Sequence, residues 1–106
     1  MSAKEIVLLA IYNEYQKDLP NMDANITCEK LQINLDEFNM ALEKLENESL
    51  IKGLRASRGS GNKIIMAFLD NVKPSNAGVH YVQQKLLIMA NMKNCAMKQL
   101  KKKKIY

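Results

Sequence analysis

At 106 residues the chain is sized for one domain with a modest core. With 47% apolar and 25% charged residues it has the composition of a soluble globular protein, and no apolar run approaches the ~20 residues that span a bilayer. The net charge is +5 but unevenly placed: residues 1–50 carry four lysines against ten carboxylates (−6), and residues 51–106 carry twelve Lys or Arg against Asp70 alone (+11).

Such a division offers a basic surface to an acidic partner, either nucleic acid or the acidic half of another copy. The N-terminus lacks the charged and apolar regions of a signal peptide. Cys28 and Cys95 lie far apart with no C-x-x-C pair, which fits a reduced cytoplasmic protein. Seven Met, two Phe and no Trp predict a soft aliphatic core.

The first helix is expected from Lys4 to Lys17, with Ser2 as its cap and Ile6, Val7, Leu9, Ala10, Tyr12 and Tyr15 as a wide apolar stripe. Leu19-Pro20-Asn21 ends it, because proline disfavours helical geometry in the residue before it. Residues 21–25 read as a polar loop, and Ile26 as a short third strand. Thr27 caps a short helix through Leu31, and Gln32-Ile33-Asn34 is a turn. Asn34 caps the next helix, with Asp36 and Glu37 in a first turn that favours negative charge. Two helices joined by three residues make a helix-turn-helix.

On the second of these helices Phe38, Leu42 and Leu45, followed by Leu50, fall near one face. Ser49 breaks the pattern. Leu50 to Arg55 then runs extended, Ser57-Arg58-Gly59-Ser60-Gly61-Asn62 is a turn by composition, and Lys63 to Leu69 is a β-branched and aromatic strand. A helix feeding a basic two-stranded ribbon is the second half of a winged helix-turn-helix. The expected fold is therefore α+β, a winged helix-turn-helix with a two- or three-stranded wing sheet and a long C-terminal helix. Residues 70–73 are a loop, and Ser75 caps that last helix from Asn76 to about Lys101. Its Val79, Val82, Leu86, Met89, Ala96 and Leu100 keep a three-four spacing, and Leu86 to Ala90 is apolar on every side. A second subunit is the natural cover, so a homodimer through Leu86, Met89, Ala96 and Leu100 is expected, with the helix folding back on its own domain as the alternative. Residues 1–100 are then one domain, with 76–100 the helix that dimerises and 101–106 a basic tail.

Lys52, Arg55, Arg58 and Lys63 cluster around Gly59-Ser60-Gly61 as candidate contacts to double-stranded DNA, arginine reading a narrow minor groove and lysine meeting phosphate. Turning the apolar stripe inward leaves Asp36, Glu37, Asn39, Met40, Glu43, Lys44 and Asn47 outward. Asn39 and Asn47 have the amides that read adenine, but the carboxylates around them repel phosphate. Gly78 is expected to let the last helix approach the sheet, and Tyr81 to pack with its hydroxyl outward. One histidine, His80, and two distant cysteines do not make a metal site by spacing. Ser75, His80 and Asp70 match no nucleophile motif, and Gly59 to Lys63 is not a phosphate-binding loop. A non-enzyme without cofactor is expected.

The run Ala41-Leu42-Glu43-Lys44-Leu45-Glu46-Asn47-Glu48-Ser49-Leu50-Ile51-Lys52-Gly53 resembles the helix-to-wing passage of bacterial winged-helix proteins. Pro74-Ser75-Asn76-Ala77-Gly78-Val79-His80-Tyr81-Val82 resembles the leucine-threonine, glycine, tyrosine element that opens their last helix, with Lys73-Pro74-Ser75 in place of leucine-threonine and Ser49 where glycine is usual. Together they resemble the YjcQ-like family of small winged-helix proteins of Gram-positive bacteria and phages, over roughly residues 3 to 90. The resemblance implies DNA binding through the fold alone. Two readings follow: a small bacterial or phage transcriptional regulator that binds DNA, or a winged-helix module that binds a host protein instead.

Overall fold

A computed structural model describes residues 2–86. The first helix, α1 (Ala3–Tyr15), begins at Ser2, whose hydroxyl accepts from the Glu5 N–H while the Glu5 carboxylate accepts from the Ser2 N–H. This reciprocal pair is a capping box. The helix stops two residues before the expected Lys17.

The expected loop over 21–25 is instead a short helix, α2 (Met22–Asn25). Asn21 caps it by accepting from the Ala24 N–H at 3.2 Å, a competence that a composition-based loop assignment overlooks. Ile26 forms no strand. It closes α2 and lies in the core at 3% exposure. Thr27 caps α3 (Cys28–Leu31) as expected, and Gln32 turns the chain in the left-handed region at φ 58°.

Asn34 caps α4 (Leu35–Asn47). Its C-terminus is closed by Ser49 at φ 58°, with Ser49 N–H donating to the Glu46 carbonyl and Leu50 N–H to the Leu45 carbonyl. This is the paired closure usually built on glycine, here on serine.

The extended run from Leu50 to Arg55 is two strands rather than one. β1 (Ile51–Lys52) pairs antiparallel with β4 (Lys73–Pro74), and β2 (Arg55–Arg58) pairs antiparallel with β3 (Ile64–Phe68). Gly53 divides them at φ +80°, where a Cβ would strike the Asn71 carbonyl. The two pairs are separate two-stranded sheets, so β4 arises at residues expected to be loop and helix entry and adds no third strand to the β2–β3 hairpin. Ser57 and Arg58 belong to β2, leaving the turn to Gly59–Asn62.

The last described elements are α5 (Asn76–Tyr81) and a π-helical turn, Val82–Leu86. The rest of the expected long helix lies outside the described residues.

α1 packs principally on α4. Val7, Leu8 and Ile11 meet Phe38, Ala41, Leu42 and Leu45, and Leu50, Ile51, Ile64, Leu69, Val72, Val82 and Leu86 complete one aliphatic core. Phe38 is its one buried aromatic among the described residues. Ser75 ties the last helix to this body. Its N–H donates to the Leu50 carbonyl at 3.0 Å, and its hydroxyl donates to the Ser49 carbonyl at 2.6 Å while accepting from the Gly78 N–H at 3.0 Å.

Glu14 has no precedent in the sequence reading. It is only 4% exposed, and its carboxylate accepts from the Asn21 N–H (2.8 Å), the Asn25 side chain (2.9 Å) and Lys17 Nζ (2.8 Å). These donors, the Asn21 N–H foremost, hold its pKa down to about 2. A carboxylate bound more tightly to its proton in the unfolded chain stabilises the fold fully above its ordinary value near 4.5, and that contribution is lost as pH falls from there towards 2. Thermal midpoints across this window should therefore fall less steeply for Glu14→Gln than for the unsubstituted chain. Parallel slopes would show that Glu14 is not anchoring the α1–α2 corner.

Candidate partner-binding face

α4 sorts its side chains by angle. Phe38, Ala41, Leu42 and Leu45 go inward, and Asp36, Glu37, Met40, Lys44 and Asn47 stand in solvent with Glu43 half-buried beside them. Asn39 leaves the outward set. It is 8% exposed, beneath the hairpin, and its amide donates at 3.5 Å to the carbonyls of Ile64 and Ile65. β3 leans on α4 at this point, so the amide expected to read adenine serves the joint between helix and ribbon. Asn47 stays exposed.

Met40 crowns the outward face at 53% exposure, with a cleft on either side. One, of about 530 Å³, lies between α4 and the hairpin turn and is lined by Asp36, Asn39, Met40, Glu43, Asn47 and Lys63 among others. The other, of about 570 Å³, lies between α4 and the start of α1 and includes Glu37, Met40, Lys44 and Glu48. Lys4 bridges that second cleft to Glu48 at 3.0 Å and lies 5.7 Å from the Tyr81 ring centre. The hydrogen bond to Glu48 raises the Lys4 pKa and keeps it charged. Asp36 and Glu37 face solvent around Met40 with Glu43 half-buried beside them, and Lys44, Lys63 and the Glu48-paired Lys4 stand at the edges of the two clefts, so the carboxylates border an apolar centre with lysines at the rim.

The ribbon arginines are engaged within the chain. Arg55 Nη2 donates to both carboxylate oxygens of Asp70, at 2.8 and 2.7 Å, and its guanidinium lies 5.8 Å from the Phe68 ring centre. The same contact holds the Asp70 carboxyl below its ordinary range and the Arg55 guanidinium above its own. Arg58 donates to Glu46 at 2.6 Å. Pairs this exposed are weak, so an anion can compete for the arginine, but the carboxylate remains nearby to oppose it. Lys52 and Lys63 are exposed, with Lys63 at the rim of the hairpin-side cleft. The outer side of the ribbon also shows Met66 and Phe68, 56% and 43% exposed.

Of the expected dimer contacts, Leu86 is fully buried within the single chain, while Met89, Ala96 and Leu100 lie outside the described residues, as does Cys95. Cys28 is half-buried, and burial raises its thiol pKa. Tyr81 is half-buried and donates its hydroxyl to Glu5 at 3.1 Å. Among the described residues no group of three or more His, Cys, Asp or Glu is arranged to hold a metal ion, and no helix is long and apolar enough to cross a membrane.

These features define a small α+β chain in which α1 and the hairpin pack on α4 and leave one side of that helix in solvent. The chain belongs to the YjcQ family: the profile described as YjcQ protein matches residues 6–104. Comparison with curated proteins and with solved structures gives no match.

Proposed function

We propose that this YjcQ-family chain is a winged helix-turn-helix used to bind a protein, with the outward face of α4 as the working surface and a basic, partly apolar peptide segment as its counterpart. In this reading α3, the Gln32–Asn34 turn and α4 are the helix-turn-helix, and β2 and β3 are the wing. The observation that supports it is the exposed Met40 set among Asp36, Glu37 and Glu43 in the position of a recognition helix. A duplex approaching this helix would meet three carboxylates, whereas a lysine-bearing peptide with one apolar side chain matches both its charge and its centre.

DNA binding is the second reading, favoured by the exposed Lys52 and Lys63 and by the final twenty residues, 87–106, which carry six lysines and no carboxylate. Contact would then run through the wing and tail, and affinity would fall steeply with salt.

One titration separates them. A fluorescent lysine–leucine peptide and a fluorescent random-sequence duplex are each added to the protein at about 0.1 M salt and at about 1 M salt, where screening shortens from roughly 10 Å to 3 Å. The peptide is expected to bind, and Glu37→Lys with Glu43→Lys should weaken it about tenfold or more, since each reversal turns an attraction near 1 kcal/mol into a repulsion. Peptide binding untouched by both reversals, beside salt-sensitive duplex binding that Lys52→Glu and Lys63→Glu abolish, would replace this reading with the DNA one.

A further inference from the structure

The positive charge of the chain is not in the body that carries the proposed site. Residues 1–86 hold ten Lys or Arg against eleven carboxylates, a net −1, while residues 87–106 hold six lysines and no carboxylate, a net +6. The last nine residues read Lys98-Gln99-Leu100-Lys101-Lys102-Lys103-Lys104-Ile105-Tyr106, a lysine run flanked by apolar side chains. That pattern is the complement of the α4 stripe. Asp36, Met40, Glu43 and Asn47 recur at steps of four, three and four, and so lie along one side of the helix, beside a cleft of about 530 Å³ whose other walls carry Lys44 and Lys63.

We propose that the lysine-rich segment 98–106 of the same chain docks on the outward face of α4, its lysines against Asp36, Glu37 and Glu43 and one of its apolar side chains against Met40. The proposal rests on the reading of α4 as a site for basic segments and names its first occupant. Reach is not limiting. The twelve residues from Leu86 to Lys98 span at most about 40 Å when extended, more than the roughly 34 Å diameter of a sphere with the radius of gyration expected of a 100-residue domain. Affinity need not be high either. Tethering gives the segment an effective concentration on the order of millimolar, so exposed charge pairs that are weak between separate molecules suffice within one chain.

The test uses the full chain with methyl-labelled methionine, its Met40 signal identified through Met40→Leu. In a variant with Lys101, Lys102, Lys103 and Lys104 all changed to Gln, the Met40 signal is expected to differ from that of the unsubstituted chain at about 0.1 M salt. At about 1 M salt, where screening acts within roughly 3 Å, the two should converge. The difference should be independent of protein concentration, and a synthetic peptide of residues 98–106 added to the variant should restore the original position. Coincident signals at low salt overturn the proposal, and a difference that grows with concentration overturns it in favour of a second copy as donor. If the signals coincide but the added peptide still moves Met40 in both proteins, tail docking fails and the α4 site stands. If the peptide moves neither, both fail.

Discussion

Gly78→Ala is expected to cost about 3 kcal/mol and to lower the thermal midpoint by at least roughly 10 °C, a large effect for one added methyl group on a helix. In isolation the change favours a helix, since alanine surpasses glycine in helical propensity by about 1 kcal/mol. The sign is reversed by what lies opposite. A Cβ at Gly78 would strike the Leu50 carbonyl oxygen, and behind that atom stands backbone rather than a side chain that can rotate away. The same carbonyl accepts from the Ser75 N–H, and Ser75 in turn holds Ser49 and Gly78, so the helix cannot retreat without opening the joint. Gly61→Ala is the control. Gly61 has φ +69° and nothing within 4 Å of a built Cβ, so only the left-handed backbone cost of about 1–2 kcal/mol applies. Chemical denaturation of both variants measures the difference. A Gly78→Ala chain as stable as the parent would mean that α5 does not approach the Leu50 carbonyl as described.

This joint also shows where the sequence was legible. The caps Ser2, Thr27, Asn34 and Ser75 were readable, because a short polar side chain before an apolar periodic run has one common use. Gly78 was readable for another reason, since a glycine in the first turn of a helix has its commonest use in a close approach. Asn21 carries the same cap signal, but the helix it opens is only four residues long, too short for an apolar period to emerge. The pairing of residues 51–52 with 73–74 was not readable, since two-residue strands have no alternation to detect and their partners are distant in sequence. The candidate site divides likewise. The acidic outward face of α4 follows from helical spacing alone. The loss of Asn39 to the hairpin, and the engagement of Arg55 by Asp70 and Arg58 by Glu46, depend on where the ribbon lands, which no local pattern encodes. Glu14 was missed because its donors come from a loop and a helix that the sequence did not resolve.

Leu86→Glu is expected to unfold the chain rather than merely separate subunits. Helical spacing alone places Leu86 on a seam shared with a second copy, where a carboxylate would give a folded monomer. In the structure Leu86 is fully buried within one chain, in the π-helical turn that packs on α1 beneath Val82 and the aliphatic core. A carboxylate there loses its hydration with no cation provided for it, a cost of several kcal/mol added to the lost packing. Leu86→Ala, which leaves a cavity without a charge, should cost about 2–5 kcal/mol. A domain of this size holds on the order of 5–15 kcal/mol in total, so Leu86→Ala should remain folded with a lowered midpoint, while Leu86→Glu should show little or no cooperative transition. Circular dichroism melts with sedimentation mass read both quantities. A Leu86→Glu chain that melts cooperatively near the parent's midpoint, but at half its mass, would return Leu86 to an intersubunit seam. A parent dimer that Met89→Glu alone splits would instead locate the seam beyond Leu86, leaving the core of the single chain as described.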